Sequence, residues 1–480
     1  MMNSRAKKIL LLVAAAALLT ANGFLLPVLN RERAVLGITR IEPLENAPPM
    51  LALTTQVLGG FRGLIANALW IRANQLQQDG KYFEMVQLAD WITKLEPHIA
   101  QVWVHQAWNM AFNISVKFTD HADRWRWVQR GMELLRDEGL RYNPDQVLIY
   151  AELAWLFQFK MGQNLDDAHF YYKGAWAAEM MGVFGGPTPD FEKLIHPQTP
   201  DEQARARALR ERYKMDATKM RALDERYGPL DWRLPEAHSI YWAGVGLDRT
   251  KGEDVRRLRQ SIYQSMNLSY QRGRLVLSSN LPPRLLPNLE IIPRVDAAFQ
   301  EQWADTAAST AFLTNSVATA YRNWLRDVPY RFFLFNRVRE GEQWLQYLRQ
   351  KFPAAAPANL TLAEYAMTRA SGNVRGQSHS KMTELLQALV LQSYYAVIDG
   401  RADDANEYMN RTSELWNAYT VEAKANQRLE LMPLNEIKTL VLRDLLAPNS
   451  NLGPEERMRL ITEVPGARQL VPQNAPAEQK

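Results

Sequence analysis

Cysteine is absent from this 480-residue sequence. Disulfide bonds, thiol catalysis, cysteine-ligated zinc sites and attachment of c-type haem are therefore excluded. The sequence also lacks a G-x-S-x-G nucleophile elbow, and no two of its seven histidines are four residues apart, as a zinc site on one helix requires. We therefore expect a protein that is not an enzyme and has no catalytic residues, no resident metal and no cofactor.

Long alternations of apolar and polar residues are missing as well, and without them no β-strand is predicted. Apolar residues make up 47% of the chain and aromatic residues 10%. These proportions are sufficient for packed cores and exclude general disorder. Because the apolar residues recur at helical spacing, the sequence predicts an all-α fold.

The charge balance is slightly basic, with 57 Lys and Arg against 52 Asp and Glu and a formal net charge of +5. Most arginines alternate with acidic residues, whereas a nucleic-acid surface needs them clustered. The densest patch surrounds Tyr263 and Tyr270 and consists of Arg256, Arg257, Arg259, Arg272 and Arg274. This patch leaves open one alternative function, the binding of an anionic polymer or nucleic acid with a steep salt dependence.

The N-terminus carries a candidate membrane anchor. Three basic residues, Arg5, Lys7 and Lys8, precede an uncharged run over 9–29. This run has about the ~20 residues that a bilayer-spanning helix needs. A cleaved signal peptide is the competing interpretation, but apolar residues continue past the small-residue site at 19–21. The sequence therefore favours an uncleaved, single-pass anchor over 1–30.

Basic residues also set the expected orientation of this anchor. The three before the run, together with the α-amino group, slightly outweigh Arg31 and Arg33 after it. We therefore expect the anchor in the inner (cytoplasmic) membrane and the body on the extracytoplasmic side, where no nucleic acid is available as a partner. The proline-containing segment 31–50 is predicted to be a spacer.

Residues 66–110 predict two helices, a tight turn and the start of a third helix. The first helix has an apolar stripe at Leu69, Ala73 and Leu76, and Gly80 ends the pattern. The second helix has apolar positions at Phe83, Val86, Ala89, Ile92 and Leu95. Pro97 stops it, because proline lacks the N–H and its ring clashes with the preceding turn.

Residues 66–103 resemble the tetratricopeptide repeat (TPR) family, whose 34-residue unit is a helix–turn–helix. Counted back from Pro97, the residues that match the family's preferred positions are Leu69, Ala73, Gly80, Tyr82 and Trp103. The resemblance implies a helical solenoid, in which stacked units share one core and extended peptides bind on the concave face.

Longer, more degenerate units follow the first one. Asn143-Pro144 closes a second unit that an insertion lengthens, and a third has Gly162 near its turn. A weaker match places Gly400 in a turn. The sequence therefore predicts TPR-like repeats over 51–280, a proline-rich boundary at 280–293, a C-terminal helical repeat-like domain over 294–447 and a flexible tail over 448–480.

The leading functional hypothesis is a membrane-anchored TPR-like scaffold that mediates protein–protein interactions in a bacterial envelope complex. Most tryptophans fall on apolar stripes and are expected in the core. Trp108 and Trp125 fall off these stripes and are predicted to line the concave face. With Arg256, Arg257 and Arg259, they are the predicted partner-binding residues.

An Asp/His cluster supports a further alternative, an envelope metal-binding protein or enzyme. Its residues are Asp120, His121 and Asp123, followed one repeat later by Asp166, Asp167 and His169. If the repeat turns brought them together, their oxygen and imidazole ligands could bind a divalent cation. Helix capping is the favoured explanation, because Asp is a preferred N-cap residue.

Overall fold

Helices account for almost all of the regular structure in the computed structural model of the chain. The structure describes residues 4–35, 62–163, 165–250, 254–278, 281–306, 311–371, 379–426, 429–447, 450 and 452–470. The all-α prediction is thus confirmed in its broad form.

The chain divides into two compact units. Unit 1 comprises Met1–Met220 and Trp232–Ile262, and unit 2 comprises Arg221–Asp231 and Tyr263–Lys480. The chain therefore passes between the units at 220/221, at 231/232 and at 262/263, and the last of these positions lies within a helix, whereas the sequence predicts a boundary at 280–293. A helix can pass from one unit to the other without a linker, so composition gives no signal there.

The first part of the chain, up to the first strand, is a series of helices. In chain order they are α1 Ser4–Val35, α2 Arg62–Gln78, α3 Tyr82–Leu95, α4 Ala100–Trp108, α5 His121–Glu133, α6 Leu140–Tyr142, α7 Val147–Trp155, α8 His169–Phe184, α9 Phe191–Ile195, α10 Pro200–Glu211, α11 Ala217–Tyr227, α12 Pro235–Leu247 and α13 Asp254–Arg272. Three π-helical segments continue α4, α5 and α7: Asn109–Ile114, Leu134–Gly139 and Leu156–Gly162. A 3₁₀ turn at Ser115–Lys117 follows the first of them.

The first predicted helix–turn–helix is confirmed by α2 and α3. Gly80 joins them with φ of 72°, a left-handed conformation that glycine adopts without steric cost. The core between the two helices contains Ala73, Leu76, Met85 and Ile92. Phe83 was expected in this stripe but is 57% exposed, because the buried face of α3 starts at Met85 instead.

Helices α4 and α7 begin with the same local arrangement. Helix α4 begins at Ala100 and α7 at Val147, 47 residues later (147 − 100 = 47). Trp103 Nε1 donates to the Pro97 carbonyl at 2.8 Å, and Tyr150 Oη donates to the Pro144 carbonyl at 2.7 Å. Each aromatic side chain thus ties its helix to the carbonyl six residues earlier.

The repeated helices of unit 1 pack in register. Helix α4 contacts α7, α7 contacts α12, and α5 contacts α8. The approach of α5 to α4 is close at Gly131, where an added Cβ would lie 2.8 Å from the Ala107 carbonyl oxygen. Such a distance is too short for a larger residue, so Gly131 sets the separation of the two helices.

Unit 2 contains a hairpin of β1 Arg274–Ser278 and β2 Leu281–Leu286, which corrects the prediction of a strand-free chain. The strands are short, and their sequences do not alternate, so the period-2 signal is absent. Further helices follow: α14 Ile292–Asp305, α15 Ala311–Leu334, α16 Val338–Lys351, α17 Leu362–Ser371, α18 His379–Ile398, α19 Ala402–Ala425, α20 Leu434–Leu446 and α21 Pro454–Glu463, with 3₁₀ turns at Pro353–Ala355 and Ala467–Leu470.

The two predicted ends of the chain have different outcomes. The tail predicted from 448 is ordered over 452–470, where Leu460 and Ala467 are fully buried, and 471–480 lie outside the described residues. Within the part of the chain that the structure describes, no helix combines the length and the hydropathy needed to cross a membrane. The predicted spacer lies outside the described residues from position 36 onward.

Candidate functional site

Helices α4 and α7 form an open cleft of about 490 Å³, which we call the aromatic cleft. It is lined by Gln101, Val104, His105, Trp108, Leu148, Glu152, Trp155 and Arg257. The α4 positions are three or four residues apart, so one face of the helix points into the cleft. Trp108 and Trp155 hold equivalent positions, each as the last residue of its helix before a π-helical segment.

Trp108 and Trp155 of the aromatic cleft belong to a row of four partly exposed aromatic rings. The ring centroids of Trp108 and Phe112 are 5.7 Å apart, those of Phe112 and Trp155 4.9 Å, and those of Trp155 and Phe159 5.2 Å. The second ring of each helix lies within the π-helical segment. The row presents a continuous aromatic surface of the kind that anchors binding partners.

Two titratable side chains in the aromatic cleft are affected by burial. Burial raises the pKa of Glu152, and the positive charge of Arg257 opposes this rise. The Arg257 Nη2 and Glu152 Oε2 atoms are 3.8 Å apart. Burial also lowers the pKa of His105, whose ring meets the Trp70 ring edge-on at 5.2 Å. His105 is therefore a neutral, largely apolar part of the wall at neutral pH.

Two further clefts continue the surface within unit 1. The connecting cleft, of about 340 Å³, is lined by Asp145, Gln146, Val147, Leu148, Ala151, Arg249, Thr250 and Arg257. The basic cleft, of about 880 Å³, is lined by Arg136, Asp137, Leu140, Arg141, Tyr150, Lys214, Asp216, Lys219, Tyr241, Trp242, Val245, Asp248 and Arg249. We call the three clefts together the groove.

The predicted partner-binding residues lie in different places. Trp108 and Arg257 line the aromatic cleft, whereas Arg256 is exposed and Arg259 half-buried on α13, and neither lines the groove. Trp125 does not line the groove either. It is 6% exposed and packs on the Tyr172 ring at 5.8 Å. The apolar stripe of α5 begins at Trp125 itself and continues through Val128 and Met132, so its assignment to an exposed face was wrong.

The first half of the predicted Asp/His cluster has local structural roles. Asp120 is the N-cap of α5 and accepts hydrogen bonds from the Ala122 and Asp123 N–H groups. Asp123 forms an ion pair with Arg126 at 2.6 Å, and the His121 ring contacts Tyr171. These contacts are those of a capped helix start.

The second half of that cluster is equally engaged. His169 Nδ1 lies 3.0 Å from Lys173 Nζ, and Asp167 pairs with Arg124 at 2.8 Å. Among the residues that the structure describes, no group of three or more His, Asp or Glu side chains could hold a metal ion. The two halves of the predicted cluster are therefore not assembled into one site.

Asp166 is the centre of a buried ion network that couples α5 to the segment before α8. Its carboxylate accepts from Arg124 Nη2 at 2.8 Å, from Lys160 Nζ at 2.5 Å and from the Ala168 N–H at 2.9 Å. Burial would raise the pKa of Asp166, but the hydrogen bonds from Lys160 and the Ala168 N–H and the positive charges nearby hold it below its ordinary value. The carboxylate therefore stays ionised and ties the two cations together.

Sequence reasoning missed four important groove residues: Trp155, Glu152, Lys214 and Arg249. For Trp155 a signal existed, because it follows Trp108 at the same spacing as Pro144 follows Pro97. For Lys214 and Arg249 the sequence had no comparable signal, since they reach the groove only through tertiary packing, such as that of α12 against α7. No protein-family model, curated protein or solved structure matches this chain.

Proposed function

We propose that this protein is a membrane-anchored scaffold, built as a TPR-like helical solenoid, that binds a protein partner in the groove. The observation that carries this proposal is the aromatic cleft. Trp108 and Trp155 are partly exposed there, beside a volume of about 490 Å³. Large aromatic side chains around a pocket are the residue type that contributes most to binding energy at protein interfaces.

The repeated geometry of unit 1 supports the solenoid part of this proposal. Helix α4 contacts α7, and α7 contacts α12, which supports the proposal because successive first helices of a stacked array contact each other in this way. The unit that begins at α4 is longer than the 34 residues of a standard TPR, and it contains two of the π-helical segments and the 3₁₀ turn at Ser115–Lys117.

Loss of both cleft tryptophans tests the proposal. We expect Trp108→Ala combined with Trp155→Ala to reduce partner capture by about tenfold or more, because hot-spot aromatics contribute 2 kcal/mol or more, roughly, to an interface. The measurement is chemical crosslinking in intact cells, affinity purification of the full-length protein and quantitative mass spectrometry of the proteins recovered with it.

Trp127→Ala is the matched control, because Trp127 contacts Phe83 and Phe118 and does not line the groove. This control variant should recover the same partners as the wild type. The proposal is contradicted if all three proteins recover the same set in equal amounts.

The membrane part of the proposal rests on the sequence. The run over 9–29 is uncharged and has about the ~20 residues that a bilayer-spanning helix needs. In spheroplasts, we expect added protease to digest the body and to leave the peptide over 9–29 in the membrane fraction, where mass spectrometry detects it. A body that stays intact until the membrane is permeabilised would refute the extracytoplasmic orientation.

A further inference from the structure

The three clefts form one continuous groove. Leu148 and Arg257 line both the aromatic and the connecting cleft, and Arg249 lines both the connecting and the basic cleft. A ligand that enters one cleft therefore meets the next one without leaving the surface. An extended chain suits this shape better than a compact small molecule, which would fill one cleft only.

The basic cleft has an excess of positive charge. Its lining includes five basic residues, Arg136, Arg141, Lys214, Lys219 and Arg249, and three acidic ones, Asp137, Asp216 and Asp248. A ligand that enters this cleft therefore meets a net positive surface, and such a surface attracts anionic groups.

All three acidic residues of the basic cleft already have partners. Asp137 accepts from Arg136 Nε at 2.7 Å, and Asp248 accepts from Lys219 Nζ at 2.5 Å. Asp216 accepts from the Thr218 N–H at 2.7 Å. The two ion pairs cancel in charge, so the other charged lining residues, Arg141, Lys214 and Arg249, carry three positive charges against the single negative charge of Asp216.

Two basic side chains are well placed to receive that ligand. The Arg249 side chain is 43% exposed. Its contact with Asp145 is long, at 3.4 Å, and the Asp145 side chain is itself 82% exposed. Lys214 is exposed on a backbone with φ of 54°, held between the buried side chains of Tyr213 and Met215. A left-handed backbone at a non-glycine residue is strained, and such strain is concentrated at functional positions.

The aromatic cleft favours apolar groups rather than anionic ones. Its rings are apolar, and Glu152 is only 7% exposed in its wall. The charge of Glu152 is offset by Arg257, whose Nη2 atom lies 3.8 Å away, so an incoming carboxylate gains no net attraction there and is attracted in the basic cleft. The two ends of the groove therefore select different parts of a ligand, which fixes its direction along the groove.

We propose that the groove binds an extended polypeptide segment that places an apolar or aromatic side chain in the aromatic cleft and several carboxylates in the basic cleft. This inference rests on the proposed scaffold function and names the chemistry of the partner. Charge complementarity at one end and aromatic contact at the other both contribute, so a segment with only one of the two features binds more weakly.

Fluorescence anisotropy with the purified full-length protein tests this inference. The probes are labelled peptides in which a Leu-Trp pair and a block of glutamates are joined by Gly-Ser spacers of increasing length, and matched peptides with glutamines or lysines in place of the glutamates. We expect the glutamate peptide of the best spacer length to bind about tenfold tighter than its glutamine counterpart, and added salt to reduce this difference.

Variants locate the peptide on the surface. Lys214→Gln combined with Arg249→Gln should remove most of the advantage of the glutamate peptide, and Trp108→Ala should weaken both peptides. Arg210→Gln is the matched control, because Arg210 is 72% exposed on α10 and lines none of the three clefts. It should bind as the wild type does.

Several results would overturn the inference. Equal binding of glutamate and glutamine peptides would refute the proposal that the basic cleft selects carboxylates. An effect of Arg210→Gln as large as that of the groove variants would refute it as well. Tighter binding of a single-stranded oligonucleotide, lost in the Lys214 and Arg249 variant, would assign the groove to nucleic acid instead. If no peptide binds while partner capture still depends on Trp108 and Trp155, the inferred chemistry is wrong and the scaffold function stands; if both fail, both proposals fall.

Discussion

Asp166→Asn is expected to lower the free energy of unfolding of unit 1 by about 3–5 kcal/mol. The replaced carboxylate accepts hydrogen bonds from two cations whose side chains are almost inaccessible, Arg124 at 9% and Lys160 at 3% exposed. Asparagine keeps the size of the side chain but removes its charge. Lys160 then loses the anion that compensates it, and Arg124 keeps only its contact with Asp167, a carboxylate that is 75% exposed. The cost of an uncompensated buried charge far exceeds that of a lost surface pair.

Hydrogen exchange measured by mass spectrometry on the full-length protein checks this expectation, because it reports the opening free energy of α5 and α8 separately from unit 2. Asp123→Asn is the matched control. Asp123 and its partner Arg126 are 39% and 76% exposed, so their pair is worth less than about 1 kcal/mol. A loss in Asp166→Asn no larger than in this control would show that the buried network does not hold the two helices together.

The stability of unit 1 is also expected to decrease as the pH is lowered, because of His238, which is completely buried on α12. Its Nε2 atom donates to the Trp232 carbonyl at 2.8 Å, and aromatic rings of Phe157 and Trp176 surround the imidazole. Burial lowers the pKa of His238 from 6.5 to about 4, although the hydrogen bond to Trp232 opposes this change. The folded state therefore favours the neutral form of the His238 imidazole.

The sign of the pH effect follows from this lowered pKa. As pH falls below 6.5, the unfolded chain takes up a proton at His238, whereas the folded chain does so only near pH 4. Stability is thus lost between these two values, by about 3 kcal/mol over the whole window and by about 2 kcal/mol between roughly pH 7.5 and pH 5.

His238→Gln isolates this contribution, because glutamine can still donate to the Trp232 carbonyl but does not titrate. Hydrogen exchange of α12 is compared in the two proteins at several pH values, with rates corrected for the pH dependence of the chemical step. Between roughly pH 7.5 and pH 5, the opening free energy of α12 should decrease by about 2 kcal/mol more in the wild type than in the variant. Parallel pH profiles for the two proteins would refute the buried, neutral state of His238.

The first helical pair was the most predictable part of the fold. Gly80 and Pro97 end helices through their own backbone properties, and Ala73, Leu76 and Ile92 mark the buried faces, so local sequence contains the necessary information. The hairpin of β1 and β2 could not be predicted in the same way. Its strands pair with each other without a period-2 pattern, and Leu275 N–H bonds to the Asp231 carboxylate, a contact distant in sequence.

The groove was only partly predictable for a related reason. Trp108 was identified because it lies off the apolar stripe of its helix, whereas Trp125 was misassigned because it is itself the first residue of the buried apolar stripe on α5. Lys214 and Arg249 reach the basic cleft through tertiary packing, and nothing in their local sequence distinguishes them from other surface cations.

The Asp/His cluster looked like a metal site in sequence because capping residues and ion-pair residues are of the same types as metal ligands.

The central claim is that a protein partner binds in the groove, and site-specific photo-crosslinking tests it most directly. A photoreactive amino acid is placed at Gln101, which is exposed and lines the aromatic cleft, or at Arg210, which lies outside the groove. In intact cells, we predict a discrete crosslinked protein from position 101 that is lost when Trp108 and Trp155 are both replaced by alanine, and none from position 210. The same adducts from both positions, or no adduct from position 101, would contradict the claim.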